Sequence, residues 1–226
     1  MGIKNETGFT LIEMMMALVI GIMITGGAYS IYTTQQQSYY AQDQVAEMQQ
    51  NLRAAFTVMV NELRMAGYDP QVTGNFGITS ALAGRVQFTT DTDQDGIVDA
   101  NETIDIGYST TVDADGDGLP NANPDPADIG IQRGGAGGFQ DIAENIQAVE
   151  FLYLDENDAV TAVLADIRSI QITLLARSSG ADGNYLNSST YTASVPSGMN
   201  LGPYNDNFRR RIITIRLRCR NLGLGS

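Results

Sequence analysis

Histidine is absent from this 226-residue chain, and its absence narrows the chemistry available to the protein. Imidazole is the commonest general acid or base near neutral pH and a frequent metal ligand, so neither role is filled by histidine here. The chain also has no phosphate-binding glycine-rich loop and no thiol within a recognisable catalytic triad. We therefore expect that the protein is not an enzyme.

Cysteine occurs once, as Cys219, so no disulfide bond forms within the chain. The folded part must be held together by packing or by a metal ion. Cys219 lies on the apolar face of the last predicted strand, and this position predicts a buried, unreactive thiol.

Positive charge is scarce as well, because Lys4 is the only lysine and the net charge is −13. Such an acidic protein is not expected to bind nucleic acid. Eleven acidic residues lie between Asp91 and Asp128, and no lysine or arginine separates them. A block of this kind indicates a disordered or solvated segment, unless cations neutralise it.

No proline precedes Pro70, which allows one long helix near the N-terminus. The run from Met14 to Tyr32 contains no proline and no charged residue, and about 20 such residues cross a bilayer. We predict a transmembrane part over residues 9–32 and an amphipathic part of the same helix over 33–67, with the helix continuing to about Met65.

The amphipathic part carries an apolar stripe at steps of three and four residues, which predicts one buried helical face. The stripe consists of Val45, Met48, Leu52, Ala55, Phe56, Met59, Leu63 and Ala66. We expect this face to pack on the chain's own globular domain, residues 68–226. Gly67 is suited to cap the helix, and Pro70 forbids its continuation.

The stretch Gly-Phe-Thr-Leu-Ile-Glu, residues 8–13, follows a short leader and precedes the apolar run. It resembles the signal of type IV prepilins and of type II secretion pseudopilins. The resemblance implies that a prepilin peptidase removes the leader, residues 1–8, between Gly8 and Phe9 and methylates the new N-terminus. It also implies that Glu13 pairs with the terminal amine of a neighbouring subunit. An ordinary signal peptide or a plain anchor gives Glu13 no role.

A second resemblance concerns the end of the helix and the end of the chain. Leu52-Arg53, the stretch from Glu62 to Tyr68 and the ending Arg218 to Asn221 are similar to PilW-type minor pilins and GspJ-type minor pseudopilins. The family implies the type IV pilin fold, of class α+β. In that fold a long N-terminal helix packs on an antiparallel β-sheet, which would here carry acidic loop insertions.

Alternation of apolar and polar residues predicts five strands beyond Pro70. They cover residues 85–90, 103–108, 146–154, 167–175 and 208–221. Residues 111–139 are predicted to form an insertion, and residues 178–207 a long functional or mobile loop. The arginines of the last strand are either a solvated face or partners for acids on another subunit.

The first Asp-rich loop, Asp91 to Glu102, fits the twelve-residue calcium-loop pattern at every ligand position. Its predicted ligands are the side chains of Asp91, Asp93, Asp95, Asp99 and Glu102 and the carbonyl of Ile97. Gly96 supplies the sharp turn at position 6. Because the flanks are predicted strands, we expect a structural calcium site and not the helix pair of a calcium sensor.

The second Asp-rich loop, residues 113–128, begins in the same way. Its candidate ligands are Asp113, Asp115, Asp117, Asn121 and Asp125. Position 12 is Pro124, which has no ligating side chain, although Asp125 or Asp128 would substitute from another register. A plain solvated acidic loop is the alternative.

Together these features predict a minor pilin that primes or caps a type IV pilus. Its expected partners are other pilin or minor pilin subunits, prepilin peptidase and inner-membrane lipid. The alternatives are a minor pseudopilin of a type II secretion system and a tip adhesin. We expect a single-pass inner-membrane protein with a cytoplasmic N-terminus and a periplasmic domain, later found in a pilus or pseudopilus at the cell surface.

Overall fold

The computed structural model describes residues 8–123, 125–134, 138–193 and 199–223. The chain divides into two compact units, Met1–Asp43 and Gln44–Ser226. Helix α1, Leu11–Leu63, starts in the first unit and ends in the second. The predicted leader lies mostly outside the described residues, which begin at Gly8.

In the first unit, the helix exposes almost every side chain between Leu11 and Tyr40. This is the one helix in the described chain that is long and apolar enough to cross a membrane, as judged by length and composition. Glycines 21, 26 and 27 do not interrupt it. The prediction of a continuous helix through the apolar run is confirmed.

In the second unit, the apolar stripe of α1 is buried as predicted. Its buried members are Met48, Leu52, Ala55, Phe56, Met59, Leu63 and Ala66. Val45 is only half-buried, and the neighbouring Gln44 is buried instead. These side chains join one hydrophobic core with residues of the sheet, so burial of this face stabilises the C-terminal part of the helix.

The helix gives way to a turn that ends at Gly67. Gly67 has a φ of +72°, a left-handed conformation that favours glycine. Its N–H donates to the carbonyl of Thr89 across 3.0 Å. The predicted C-terminal cap is therefore confirmed, and it joins the end of the helix to a strand of the sheet.

The described residues of the second unit form nine strands. They are β1 (Ile78–Ala81), β2 (Arg85–Thr89), β3 (Thr103–Gly107), β4 (Ala127–Arg133), β5 (Gln140–Leu154), β6 (Ser169–Arg177), β7 (Tyr191–Thr192), β8 (Asn200–Leu201) and β9 (Arg210–Arg218). Seven of them form an antiparallel sheet in the order β1-β2-β3-β4-β5-β6-β9, and β7 pairs with β8. The α+β class, with a long N-terminal helix and an antiparallel sheet, is confirmed.

The sheet corrects one part of the prediction. Residues 111–139 are not simply an insertion, because β4 lies within them and pairs with both β3 and β5. The alternation of Ile129 and Ile131 is short and is surrounded by Asp, Gly and Pro, so it did not stand out. Strand β5 also begins six residues earlier than predicted, since Asn145, at a φ of +55°, interrupts the alternation.

The last strand alternates as predicted. Ile213, Ile215, Leu217 and Cys219 face the main core. Burial raises the pKa of the Cys219 thiol to about 12, so the thiolate that reacts with electrophiles is suppressed. The prediction of a buried cysteine is confirmed.

The predicted long loop, residues 178–207, has structure of its own in its described part. The pair β7 and β8 lies within it, and the N–H of Asn187 donates to the carbonyl of Asp206 across 2.7 Å. Arg209 binds Asp182 with a separation of 2.7 Å. These contacts hold the segment against the start of β9.

Candidate functional site

The N-terminal signal residues lie at the start of α1. Gly8 and Phe9 are exposed and precede the helix, and 86% of the Phe9 surface is accessible. The bond between them therefore lies outside the helix in exposed chain, a location that suits cleavage by a peptidase. Residues 1–7 of the predicted leader lie outside the described residues.

Glu13 lies in the first turn of α1 and forms a capping box with Thr10. The Thr10 N–H and hydroxyl both donate to Oε2 of Glu13 across 2.8 Å. The Glu13 N–H donates back to the Thr10 hydroxyl across 3.3 Å. The Thr-x-x-Glu spacing carries this signal in the sequence, and our sequence analysis missed it.

The capping box uses only one of the two carboxylate oxygens of Glu13. Both hydrogen bonds from Thr10 end on Oε2. A carboxylate accepts several hydrogen bonds, and no residue of the described chain donates to Oε1. Glu13 is exposed at the helix start, where a positively charged group would be able to reach its carboxylate.

The first Asp-rich loop connects β2 to β3, and three of its carboxylates converge. Asp91, Asp93 and Asp95 each offer a carboxylate oxygen, and these oxygens lie within 4.8 Å of one another. Gly96 adopts a φ of +77° at the predicted turn position. Desolvation and the like charges of neighbouring carboxylates raise the pKa of Asp93.

Asp91 supplies the buried end of this cluster. The residue is fully buried; its Oδ2 accepts from the Gly96 N–H across 3.2 Å, and its Oδ1 is buried with no hydrogen-bond partner. A buried anionic oxygen without a partner is costly. Calcium binds such oxygens at 2.3–2.6 Å, so a small cation fits this position on chemical grounds.

Glu102, the predicted ligand at position 12, forms hydrogen bonds to the backbone within the loop. It is fully buried, and it accepts from the N–H of Thr92 across 2.7 Å and from the N–H of Asp99 across 3.1 Å. Although desolvation opposes ionisation, these hydrogen bonds lower the pKa of Glu102. Glu102 and Asp99 are not members of the converging group, and Oε1 of Glu102 also accepts from the Thr92 hydroxyl across 3.2 Å.

The first loop is also joined to the segment that follows α1. The Asp91 N–H donates to the carbonyl of Tyr68 across 2.9 Å. Gln71 donates its side-chain amide to the carbonyl of Gln94. These hydrogen bonds connect the loop to the segment after the helix. The sequence did not predict this contact, because the two segments are separated along the chain.

The second Asp-rich loop also brings three carboxylates together, those of Asp113, Asp115 and Asp117. Its buried aspartate differs from that of the first loop, because both Asp113 oxygens already have partners. They accept from the N–H groups of Gly116 and Gly118 across 2.8 and 2.9 Å. Among its described residues, this loop therefore contains no orphaned oxygen comparable with that of Asp91.

The remaining candidate ligands of the second loop have other partners. The side chain of Asn121 spans the loop, with its oxygen 3.3 Å from the N–H of Ala114. Asp125 lies 3.7 Å from Arg177 and is outside the converging group. The position of Pro124 is outside the described residues.

Three cationic side chains near the C-terminus pair within the chain. Arg216 binds Asp158, and Arg210 binds Asp206 across 2.6 Å. Arg209 binds Asp182, as described above. Arg216 is exposed, as the solvated-face alternative for the last strand expects, and it pairs with an acid of its own chain. The alternative of intersubunit pairs stays a prediction.

Comparison with known proteins bears on the N-terminus. Residues 3–29 match the model of the prokaryotic N-terminal methylation motif. A type IV-like pilin from Thermus thermophilus, TTHA1219, aligns with 78% of this chain and 98% of its own, at 16% identity and a TM-score of 0.45. A search of curated proteins finds no match. The matched motif supports a type IV prepilin-like N-terminus, and the helix that begins within it is long and apolar enough to cross a membrane.

Proposed function

Starting from a chain whose N-terminus is type IV prepilin-like, we propose that the protein is a minor pilin that primes or caps a type IV pilus. The observation that carries the proposal is the methylation motif over residues 3–29. The motif includes the start of a helix that exposes its apolar side chains. Exposed apolar side chains need either lipid or the helices of other subunits around them. A filament subunit uses both environments in succession.

We propose that prepilin peptidase cuts between Gly8 and Phe9 and methylates the amine of Phe9. The whole capping box lies on the mature side of this bond, so the start of the helix survives processing. Glu13 would then be the fifth residue of the mature protein. Its Oε1 would accept a hydrogen bond from the positively charged amine of a neighbouring subunit. Such an amine is a suitable partner for a carboxylate in hydrocarbon.

The proposed location follows from this processing. Before assembly the chain would cross the inner membrane once, with its N-terminus in the cytoplasm and Gln44–Ser226 in the periplasm. The size of this second unit, with its acidic loops and the segment 178–207, favours a priming or tip position over a repeating one. A minor pseudopilin of type II secretion shares all these features and is the second candidate.

Calcium is proposed as a structural ion of the first Asp-rich loop. Its ligands would be Asp91, Asp93, Asp95, the Ile97 carbonyl, Asp99 and Glu102. The orphaned Oδ1 of Asp91 supports this site, and the second loop lacks such support. The ion would offset the mutual repulsion of the carboxylates and would hold the loop against the end of α1.

The processing step is tested by mass spectrometry of the N-terminus. The chain is expressed in a bacterium with and without a prepilin peptidase, and the membrane fraction is analysed. We expect a mature terminus at N-methylated Phe9 only with the peptidase, and the intact leader in a Gly8→Leu variant. Cleavage after the apolar run, or processing without the peptidase, would contradict the proposal.

A further inference from the structure

The two edges of the main sheet are unequal. At one edge, β1 has only four residues and an irregular register with β2. At the other edge, β9 has nine residues, all paired in regular register with β6. Within the described chain no strand pairs with the outer side of β9. A long, regular free edge offers backbone donors and acceptors to a further strand.

A groove runs beside this edge, between α1 and β9. Its volume is about 470 Å³. Phe56, Val60 and Ile213 give it an apolar floor, and Ile213 remains half-exposed although it contacts the core. The groove therefore lies where the outward side chains of an added strand would be received.

The charge of the groove is opposite to that of the whole chain. Arg53 and Arg211 line it, and none of the described residues around it is acidic. Both arginines are exposed, and neither guanidinium forms an ion pair with a described residue. In a protein with a net charge of −13, two unneutralised cations in one groove select for an acidic occupant.

Other arginines near β9 have acidic partners within the chain. Arg209, Arg210 and Arg216 each have a carboxylate within the chain. Arg218 lies beside Asp155 and Asp158 on the opposite face of β9. The arginines of β9 disfavour pairing of this strand with the β9 of another copy, since like charges would face each other.

From these features we propose that β9 and this groove bind an extended, acidic segment of a neighbouring protein subunit, which adds to the sheet as a strand. Backbone hydrogen bonds to β9 would supply much of the affinity. Its apolar side chains would enter the groove between Phe56 and Ile213, and its carboxylates would bind Arg53 and Arg211. The inference rests on the proposed function only for the source of the segment, a neighbouring subunit.

The test uses the full chain in detergent micelles and a synthetic Glu-Val peptide as long as β9, nine residues. In this peptide Glu and Val alternate along one face of the strand, and Thr occupies every position of the other face. Binding is measured by fluorescence anisotropy of the labelled peptide, and its location by hydrogen exchange of the β9 amides. We expect saturable binding, protection of β9, and at least a roughly tenfold loss of affinity in R53E/R211E. The Lys-Val peptide, in which Lys replaces each Glu, and a backbone N-methylated Glu-Val peptide should not bind.

The matched control is Arg218→Glu, which changes the same kind of charge on the opposite face of β9. It should change the affinity less than about twofold. Equal binding of the Lys-Val peptide, an equal loss in Arg218→Glu, or no protection of β9 would overturn the proposal. Failure of N-terminal processing would leave this result unaffected, so the two proposals fail independently.

Discussion

Asp91 and Tyr68 are joined by a backbone hydrogen bond of 2.9 Å, which attaches the first acidic loop to the turn after helix α1. Gly67, the preceding residue, bonds to Thr89 at the end of β2. Gly67 and Tyr68 thus link the end of the helix to the last residue of β2 and to the first residue of the loop. Anything that orders the loop will also order the end of the helix.

Calcium should therefore stabilise the protein through this loop. With free calcium at about 100 times Kd, a single site contributes about 2.7 kcal/mol. We expect the melting temperature of the full chain in detergent to be higher with calcium than with chelator. Asp91→Asn should abolish most of this shift, while Asp115→Asn in the second loop should leave it nearly unchanged. Equal shifts in both variants would contradict the assignment to the first loop.

Gly67 should not tolerate a side chain. Its φ of +72° is strained for other residues, and a Cβ there would lie 2.6 Å from Cδ2 of Leu222. A non-glycine residue in this conformation costs roughly 1–2 kcal/mol. Gly67→Ala should lower the free energy of unfolding by about this amount, as measured by urea denaturation. Gly77→Ala is the control, because a Cβ there meets open space, and it should change stability by less than about 0.5 kcal/mol.

Cys219 should make the fold sensitive to alkaline pH. Because its pKa is raised to about 12, the thiol stays neutral in the folded state while the unfolded chain ionises from about pH 8.5. Its contribution to stability is complete below that pH and is lost as pH rises towards about 12, at most about 1.4 kcal/mol per pH unit. Cys219→Ala should show a shallower decline in the melting temperature above pH 9, a range set by the same raised pKa. Parallel declines would exclude this role for the thiol.

The sequence predicted those elements whose signal is local. The stripe from Met48 to Leu63 and the alternation in β6 and β9 follow from periods of 3.6 and 2, which need no knowledge of the rest of the chain. Strand β4 was missed because its neighbours are rich in Asp and Gly, and only its pairing with β3 and β5 makes it a strand. The groove beside β9 was equally invisible, since Arg53 and Arg211 come together only after the helix has packed.

The same difference between local and long-range signals applies to the two candidate calcium sites. The calcium-loop spacing predicted the convergence of Asp91, Asp93 and Asp95, which the structure shows. Spacing alone does not distinguish this loop from the second, because the difference lies in hydrogen bonds. Asp113 has both oxygens bonded to backbone N–H groups, whereas Asp91 keeps a buried oxygen without a partner.

The Thr10–Glu13 capping box allows the two roles of Glu13 to be separated. Glutamine at position 13 keeps the box, because it still accepts from the Thr10 N–H, but it removes the negative charge. Thr10→Ala keeps the charge and removes a cap that contributes about 1 kcal/mol. If the charge pairs with a neighbouring amine during assembly, Glu13→Gln should prevent incorporation into filaments as fully as Glu13→Ala.

Thr10→Ala should instead permit incorporation while loosening the first turn of α1. Incorporation is measured by immunoblotting of sheared filaments, and order of the first turn by hydrogen exchange in micelles. All three variants should reach the membrane in normal amounts, because the apolar run from Met14 to Tyr32 is intact. If Glu13→Gln assembled normally and Thr10→Ala did not, the carboxylate would act in assembly only as a helix cap, and the proposed pairing with an amine would be wrong.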